Sequence, residues 1–364
     1  MPEIQSGQLV LFYLFDVAET VDLQAVPQLV GGPAVAAKLA PKSAIPAYVQ
    51  YDKPPLSFDG DTVGIADVAG FRPRFRAYDY GVISVALTQP FKGSWREFVA
   101  SGQLLVESAD FESHAEQLCR TVTDRLRPAL KGVRPTTLTE DYVVFVVHEL
   151  EAATSAEVLL ETRGQDIAQM LRGEAQPLSA QETAKILSHR ISYLADDLVV
   201  ATWNAAFVYD TPTGSIAALE IIEFANSQLL EFRYYDSRLD AELASIYSEV
   251  QKPRWFDRWL SSRATKAARQ VHALFIDVNE LTDRTENTLK FIGDIYTARL
   301  FLLVAERFGL ATWKADVEAK LKTLDDIYRF AVEQSSMARG EFLELTIVLI
   351  LVLELVLLLL GVMT

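Results

Sequence analysis

A single cysteine, Cys119, is the whole thiol content of this 364-residue chain. No intrachain disulfide can staple it, and a reducing compartment is the natural setting. Cys119 stands in a helical stretch, FESHAEQLCRTVTDRL, where a lone thiol reads as a small apolar filler. Histidine is almost as scarce, with only His114, His148, His189 and His272 scattered along the chain. His148-Glu149-Leu150-Glu151 lacks the second histidine of a zinc-protease helix. No Walker A, dinucleotide GxGxxG or GxSxG pattern occurs. Positive charge is in deficit too: 34 Lys and Arg face 49 Asp and Glu, a formal charge of −15. That balance argues against a nucleic-acid binder over the whole body and leaves only a local basic patch to consider. The opening MPEIQSGQLVLFYLFDVAET has no basic n-region, and its apolar run is strand-length. No signal or transit peptide is therefore expected.

One long apolar run is present. Leu345 to Met363 reads LTIVLILVLELVLLLLGVM, and 19 residues at helical rise span about 28 Å, close to the ~30 Å hydrocarbon thickness of a bilayer. Fifteen Leu, Ile and Val contribute roughly −5 to −9 kcal/mol, against about +3 kcal/mol for the central Glu354. Insertion wins, so residues 341–364 are expected to form one transmembrane helix. Arg339 precedes the run and no Lys or Arg follows it. The bulk of the chain is thus expected on the cytoplasmic side, in a tail-anchored arrangement with the C-terminus across the bilayer.

Upstream, strand and helix patterns are interspersed through residues 1–212. Leu9 to Val17, Tyr80 to Thr88, Tyr142 to His148 and Leu198 to Tyr209 read as strands, the last a single one. Between them, Ala109 to Leu130, Ser155 to Leu171 and Ala180 to Ser192 read as helices. The expected class is α+β, with an N-terminal mixed sheet domain over 1–212. From Ser215 on, nothing reads as a strand. Residues 215–340 read as long helices forming a hairpin or coiled-coil stalk. Val317, Leu321, Leu324, Tyr328, Ala331, Ser335, Ala338, Phe342, Leu345, Leu349, Val352, Val356 and Leu359 alternate steps of four and three, the spacing of a coiled-coil seam that enters the membrane. Packing of its soluble part against Ala264 to Phe308 as an antiparallel hairpin fits the same spacing.

YGVISV (Tyr80 to Val85), NSQLLEFRYYDSRLD (Asn226 to Asp240), ENTLKFIGDIY (Glu286 to Tyr296) and the terminal ELTIVLILVLELVL give the chain a resemblance to a known family. It resembles the Required-for-meiotic-nuclear-division protein 1 family, also called domain of unknown function 155 or YagE-like. The resemblance covers roughly residues 75 to 360 and is more specific in the helical half. It implies a single-span membrane protein with no established enzymatic activity, and hence a scaffold or tether.

Three groups of residues are candidate sites. Glu354, a carboxylate within the apolar run, stands about 200° around the helix from Val352 and away from the seam. It is a candidate for self-association in its protonated form, the alternatives being a protonated residue facing lipid and a proton path. Lys252, Arg254, Trp255, Arg258, Trp259, Arg263, Lys266 and Arg269 cluster against Asp257 alone. They form a candidate contact for an anionic membrane surface or nucleic-acid phosphate, the plainer alternative being a core helix with a solvated basic face. Glu231, Arg233, Asp236 and Arg238, with Glu286, Lys290 and Asp294, have spacings for an interhelical polar network, and a ligand site is the alternative.

The expected function is a membrane-anchored scaffold or tether of an unknown protein partner, self-associating, without catalysis, cofactor or metal. Its expected partners are the lipid bilayer and other copies of the chain, with a nucleic acid or ribosome the remaining option. The alternative function is a hydrolase or metal-dependent enzyme with its site in the sheet domain, around His148 or Asp196-Asp197.

Overall fold

Leu9 to Phe15 is apolar at every position, the pattern of a strand covered on both faces. In the computed structural model it lies inside β1 (Glu3–Asp16), near the centre of a nine-stranded sheet. The structure describes residues 3–32, 34–36, 54–106, 110–135, 138–250, 274–276, 278–279, 281 and 295–359. Among these, two compact units are present: residues 1–234 with 283–313, and residues 235–282 with 314–364.

In the first unit the sheet strands are β1, β3 (Val35–Ala36), β4 (Leu56–Asp59), β5 (Arg72–Ala77), β6 (Val82–Ser94), β8 (Thr139–Leu150), β9 (Arg190–Ile191), β10 (Leu198–Ala201) and β11 (Ala205–Tyr209). Their order is β3-β4-β5-β6-β1-β8-β11-β10-β9. Among the described residues only β8 and β11 run parallel; the other neighbours are antiparallel. A separate pair joins β2 (Thr20–Val21) to β7 (Leu130–Lys131). Pro73 sits within β5, where it faces Leu87 of β6. The β4 ladder stops at Asp59 and Arg74, so the missing proline N–H interrupts no bond on that side.

Odd-numbered residues of β1 (Leu9, Leu11, Tyr13, Phe15) join Phe75, Val85, Phe145 and Phe207 in the apolar core. Four helices cover this face: α2 (Trp95–Val106), α3 (Asp110–Leu126), α4 (Ala156–Arg172) and α5 (Ala180–Ser188), with the short α1 (Val26–Val30) beside α3. The opposite face of the sheet lies under residues 212–234 of α6 (Pro212–Val250) and under α7 (Ile295–Arg307). Phe224 of α6 meets Tyr78 and Phe301, and Tyr142 of β8 meets Phe308 just after α7. From Ala217 to Phe232 every residue of α6 is buried.

The expected single strand from Leu198 to Tyr209 is instead a hairpin. Thr202 Oγ1 accepts from Ala205 N and donates to the Ala205 carbonyl, and Tyr142 Oη donates to the Thr202 and Ala205 carbonyls. These bonds turn the chain through Trp203 and Asn204. A continuous β-branched and aromatic run masks such a turn when no glycine or proline marks it.

The second unit takes α8 (Leu310–Leu359) from Lys314 on, and the helix is unbroken through Gly340. At 1.5 Å per residue it is about 75 Å long. The first three seam positions, Val317, Leu321 and Leu324, are buried, as is Leu239 of α6. Lys320 Nζ lies 2.7 Å from both Asp236 Oδ1 and Asp240 Oδ1, tying α8 to α6 within this unit. The expected hairpin partner, Ala264 to Phe308, lies largely outside the described residues. Among the described residues no helix is long and apolar enough to cross a membrane. The expected transmembrane helix over 341–364 is therefore not found there. The described residues omit 360–364 and the side chains of 341–343, Leu345, Leu353 and 357–359.

Candidate functional site

α6 brings the chemistry of the first unit together. Glu220, Glu223, Ser227, Glu231 and Tyr234 recur at steps of three and four, which places them on one helical face. The sheet answers with its own row. Ser57, Arg76, Ser84, Leu14 and Glu140 stand opposite one another across β4, β5, β6, β1 and β8. Arg76 and Glu140 both reach α6, at Glu220 and Arg233, about 20 Å apart along the helix.

At the first contact Arg76 is almost fully buried and splits its guanidinium three ways. Nε donates to Ser57 Oγ at 2.9 Å, Nη2 to Glu220 Oε1 at 3.2 Å, and Nη1 lies 2.9 Å from Glu223 Oε2. The last is a close ion contact without hydrogen-bond angles. Burial works against the Arg76 charge, but Glu223, Tyr78 and Glu220 outweigh it and hold the guanidinium protonated. Arg76 lies between the two carboxylates, and Arg74 also acts on Glu220. Burial, more than Arg76 can offset, pushes the Glu220 carboxyl above its usual range, and Glu223 adds to the rise.

At the second contact Gln228 Nε2 donates to Tyr80 Oη at 3.1 Å, and Tyr80 Oη lies 2.6 Å from Ser227 Oγ. Ser227 Oγ donates to the Phe224 carbonyl at 2.7 Å, which leaves Tyr80 as the donor to Ser227. Burial raises the Tyr80 phenol and keeps it neutral.

At the third contact Arg134 Nη1 donates to both Asp16 oxygens, at 2.8 and 2.7 Å, and its guanidinium carbon lies 4.1 Å from the centre of the Tyr234 ring. Beside it Arg233 donates to Glu140. Burial lifts the Glu140 carboxyl to about 7 against the pull of Arg233, and Asp141 adds to the rise.

The sequence-derived candidates divide accordingly. Glu231, Arg233 and Asp236 lie on α6, and among the described residues each is seen with a different partner. Glu231 acts on Arg134, Arg233 turns to the sheet, and Asp236 meets Lys320 of α8. Glu286, Lys290 and Asp294 lie outside the described residues, as does the entire basic cluster of Lys252, Arg254, Trp255, Arg258, Trp259, Arg263, Lys266 and Arg269. Glu354 is exposed on α8.

The residues of the enzymatic alternative have structural partners. His148 Nδ1 is 3.1 Å from the Asp210 carbonyl oxygen. The Asp197 carboxylate accepts from Tyr193 N and Leu194 N at 2.7 and 2.9 Å and braces a loop, whereas Asp196 is exposed. Among the described residues no group of three or more His, Cys, Asp and Glu could hold a metal ion. Burial raises the Cys119 thiol to about 12, which suppresses the reactive thiolate.

Glu220, Glu223, Arg134 and Asp16 were not singled out from sequence. Their signal was the recurrence of glutamates and a serine at helical spacing in an otherwise apolar segment. It needed a sheet partner to become legible.

The sheet, the four helices on one face and the polar-faced helix on the other define an α+β domain. Residues 6–215 match the family described as "Uncharacterized protein MJ0711, N-terminal domain", and the chain belongs to that family. Uncharacterized protein MJ0711 of Methanocaldococcus jannaschii is 25% identical over 191 residues, covering 52% of this chain and 58% of that protein. The chain therefore matches less than two thirds of the length of that relative. No solved structure matches. The family match ends just inside α6, so it holds the strand half of the polar track and stops before its helical half.

Proposed function

We propose that this chain is a membrane-anchored, non-catalytic scaffold whose sheet domain is held near a bilayer by the apolar end of α8, and that it self-associates there. The observation that carries this reading is the exposure of Ile347, Val348, Leu349, Ile350, Leu351 and Val352, each between 51% and 65% accessible. Six successive positions at 100° per residue pass every side of a helix. A helix packed on a protein surface keeps its apolar residues to one stripe, whereas apolar residues on all sides call for an apolar surrounding. At roughly 1.5–3 kcal/mol for each side chain removed from water, six of them supply about 10 kcal/mol or more.

The same run continues in the sequence through Leu353, Leu355, Val356 and Leu357 to Leu360. Glu354 within it is the proposed point of self-association, because a carboxyl among lipid tails gains most from a polar partner on a second copy. The resemblance to the Required-for-meiotic-nuclear-division protein 1 family supports the same reading. Its motifs Tyr80 to Val85 and Asn226 to Asp240 meet at the Tyr80, Ser227 and Gln228 contact. Density-gradient flotation of the full chain with liposomes is the test. The scaffold reading expects co-flotation at high salt, and loss of it when Ile347, Leu349 and Leu351 are replaced by aspartate. A full chain left at the bottom of the gradient overturns it.

A further inference from the structure

Within the first unit, α6 is gripped near its midpoint at two neighbouring points. Asp16 closes β1 and Glu140 lies near the start of the adjacent antiparallel strand β8, so the two carboxylates stand at the same end of the sheet. Asp16 holds Arg134, which covers the Tyr234 ring, and Glu140 holds Arg233 one position earlier on α6.

The two grips differ in chemistry. Asp16 receives two hydrogen bonds from one nitrogen. Glu140 is buried against a single arginine whose side chain is 36% exposed. On β8 its neighbour is Asp141, and across the ladder β1 presents the uncharged Leu14. Among the described residues, Arg233 on α6 and Asp141 on β8 are the charges that act on it.

We propose that the contact between Glu140 and Arg233 is a titratable clasp that holds the Arg233–Tyr234 turn of α6 onto the sheet and loosens as the solution becomes more alkaline. When the turn lifts, Glu140 meets water and behaves as an ordinary carboxylic acid. In the closed clasp burial raises its carboxyl to about 7. The closed form therefore binds the proton more tightly, and protonation favours closure. Closure is complete below the ordinary carboxylate range. It weakens as the pH climbs toward 7, where the buried carboxyl ionises and its desolvation exceeds what Arg233 returns. A neutral Glu140 still accepts a hydrogen bond from Arg233, so acid does not break the contact.

Hydrogen exchange of the α6 peptide around Arg233–Tyr234 in the full chain, corrected for the intrinsic pH dependence of exchange, reads this directly. Between about pH 4.5 and pH 7.5 the protection of the wild-type segment is expected to fall on the order of a hundredfold. Glu140→Gln, which keeps the shape and an acceptor for Arg233, is expected to remove that slope. Carboxyl NMR of Glu140 gives an independent readout: its midpoint is expected near neutrality, and Asp141→Asn is expected to lower it. A flat wild-type profile, an unchanged slope in Glu140→Gln, or an ordinary carboxylate midpoint for Glu140 overturns the proposal.

Discussion

Tyr80 Oη lies 2.6 Å from Ser227 Oγ, joining two residues 147 positions apart in the chain. Both are buried, and the phenol also accepts from Gln228. Tyr80→Phe removes the acceptor for Gln228 and the donor for Ser227 while keeping the ring. A buried polar group left unmatched costs about 1–3 kcal/mol. Denaturant unfolding of the variant is expected to show a loss of that size with unchanged far-ultraviolet circular dichroism.

Arg76 is the cation between Glu220 and Glu223. Replacing it by methionine keeps most of the volume and strands two buried carboxylates, at a cost of about 3–5 kcal/mol. Adding Glu223→Gln to Arg76→Met is expected to recover part of the loss. The sign with pH follows from Glu220, whose carboxyl is raised by burial. Such a group favours the folded state at low pH and withdraws that support as the pH rises above the ordinary carboxylate range. Unfolding midpoints at about pH 5 and about pH 8 are expected to separate further in Arg76→Met than in wild type.

Gly81 adopts φ 95°, and a Cβ placed there would stand 1.8 Å from the Ala18 carbonyl oxygen. Both the backbone angle and the space require glycine. Gly81→Ala is expected to cost several kcal/mol, about the upper end for a single substitution, read as a large fall in the thermal midpoint. Gly64→Ala has a left-handed φ of 72° but nothing within 4 Å of the added carbon. It is expected to cost only about 1 kcal/mol.

Glu354→Leu removes the carboxyl from the apolar run and raises its hydrophobicity. Membrane association is expected to persist, while the proposed oligomer, measured by sedimentation in detergent, is expected to shrink. A species that is monomeric and unchanged in the variant contradicts self-association through Glu354.

Much of the architecture was legible because its signals were local. Leu9 to Val17, Tyr80 to Thr88 and Tyr142 to His148 carry β-branched and aromatic runs, and the sheet contains all of them but Val17, Tyr80 and Gly81. Ser155 and Ser179 mark the starts of α4 and α5 by capping Val158 N and Glu182 N. Strand β5 was less visible, because three arginines and Pro73 leave it little apolar character, and only the ladder shows Arg76 turned beneath α6. The turn at Thr202 was hidden for a related reason: side-chain hydrogen bonds, not a glycine or proline, bend the chain there. The polar track was the least legible part. Glu140 and Arg233 are 93 positions apart, and Arg76 and Glu220 are 144 apart. Helical spacing showed which α6 residues share a face without showing what that face meets.

Alkaline carbonate extraction of membranes from cells making the full chain tests the central claim most directly. Carbonate strips proteins held by charge or by a partner and leaves those anchored in hydrocarbon. The account predicts that the chain stays in the pellet, and that replacing Ile347, Leu349 and Leu351 by aspartate moves it to the supernatant. A wild-type chain recovered in the supernatant would contradict the account and leave the apolar end of α8 to be covered by protein.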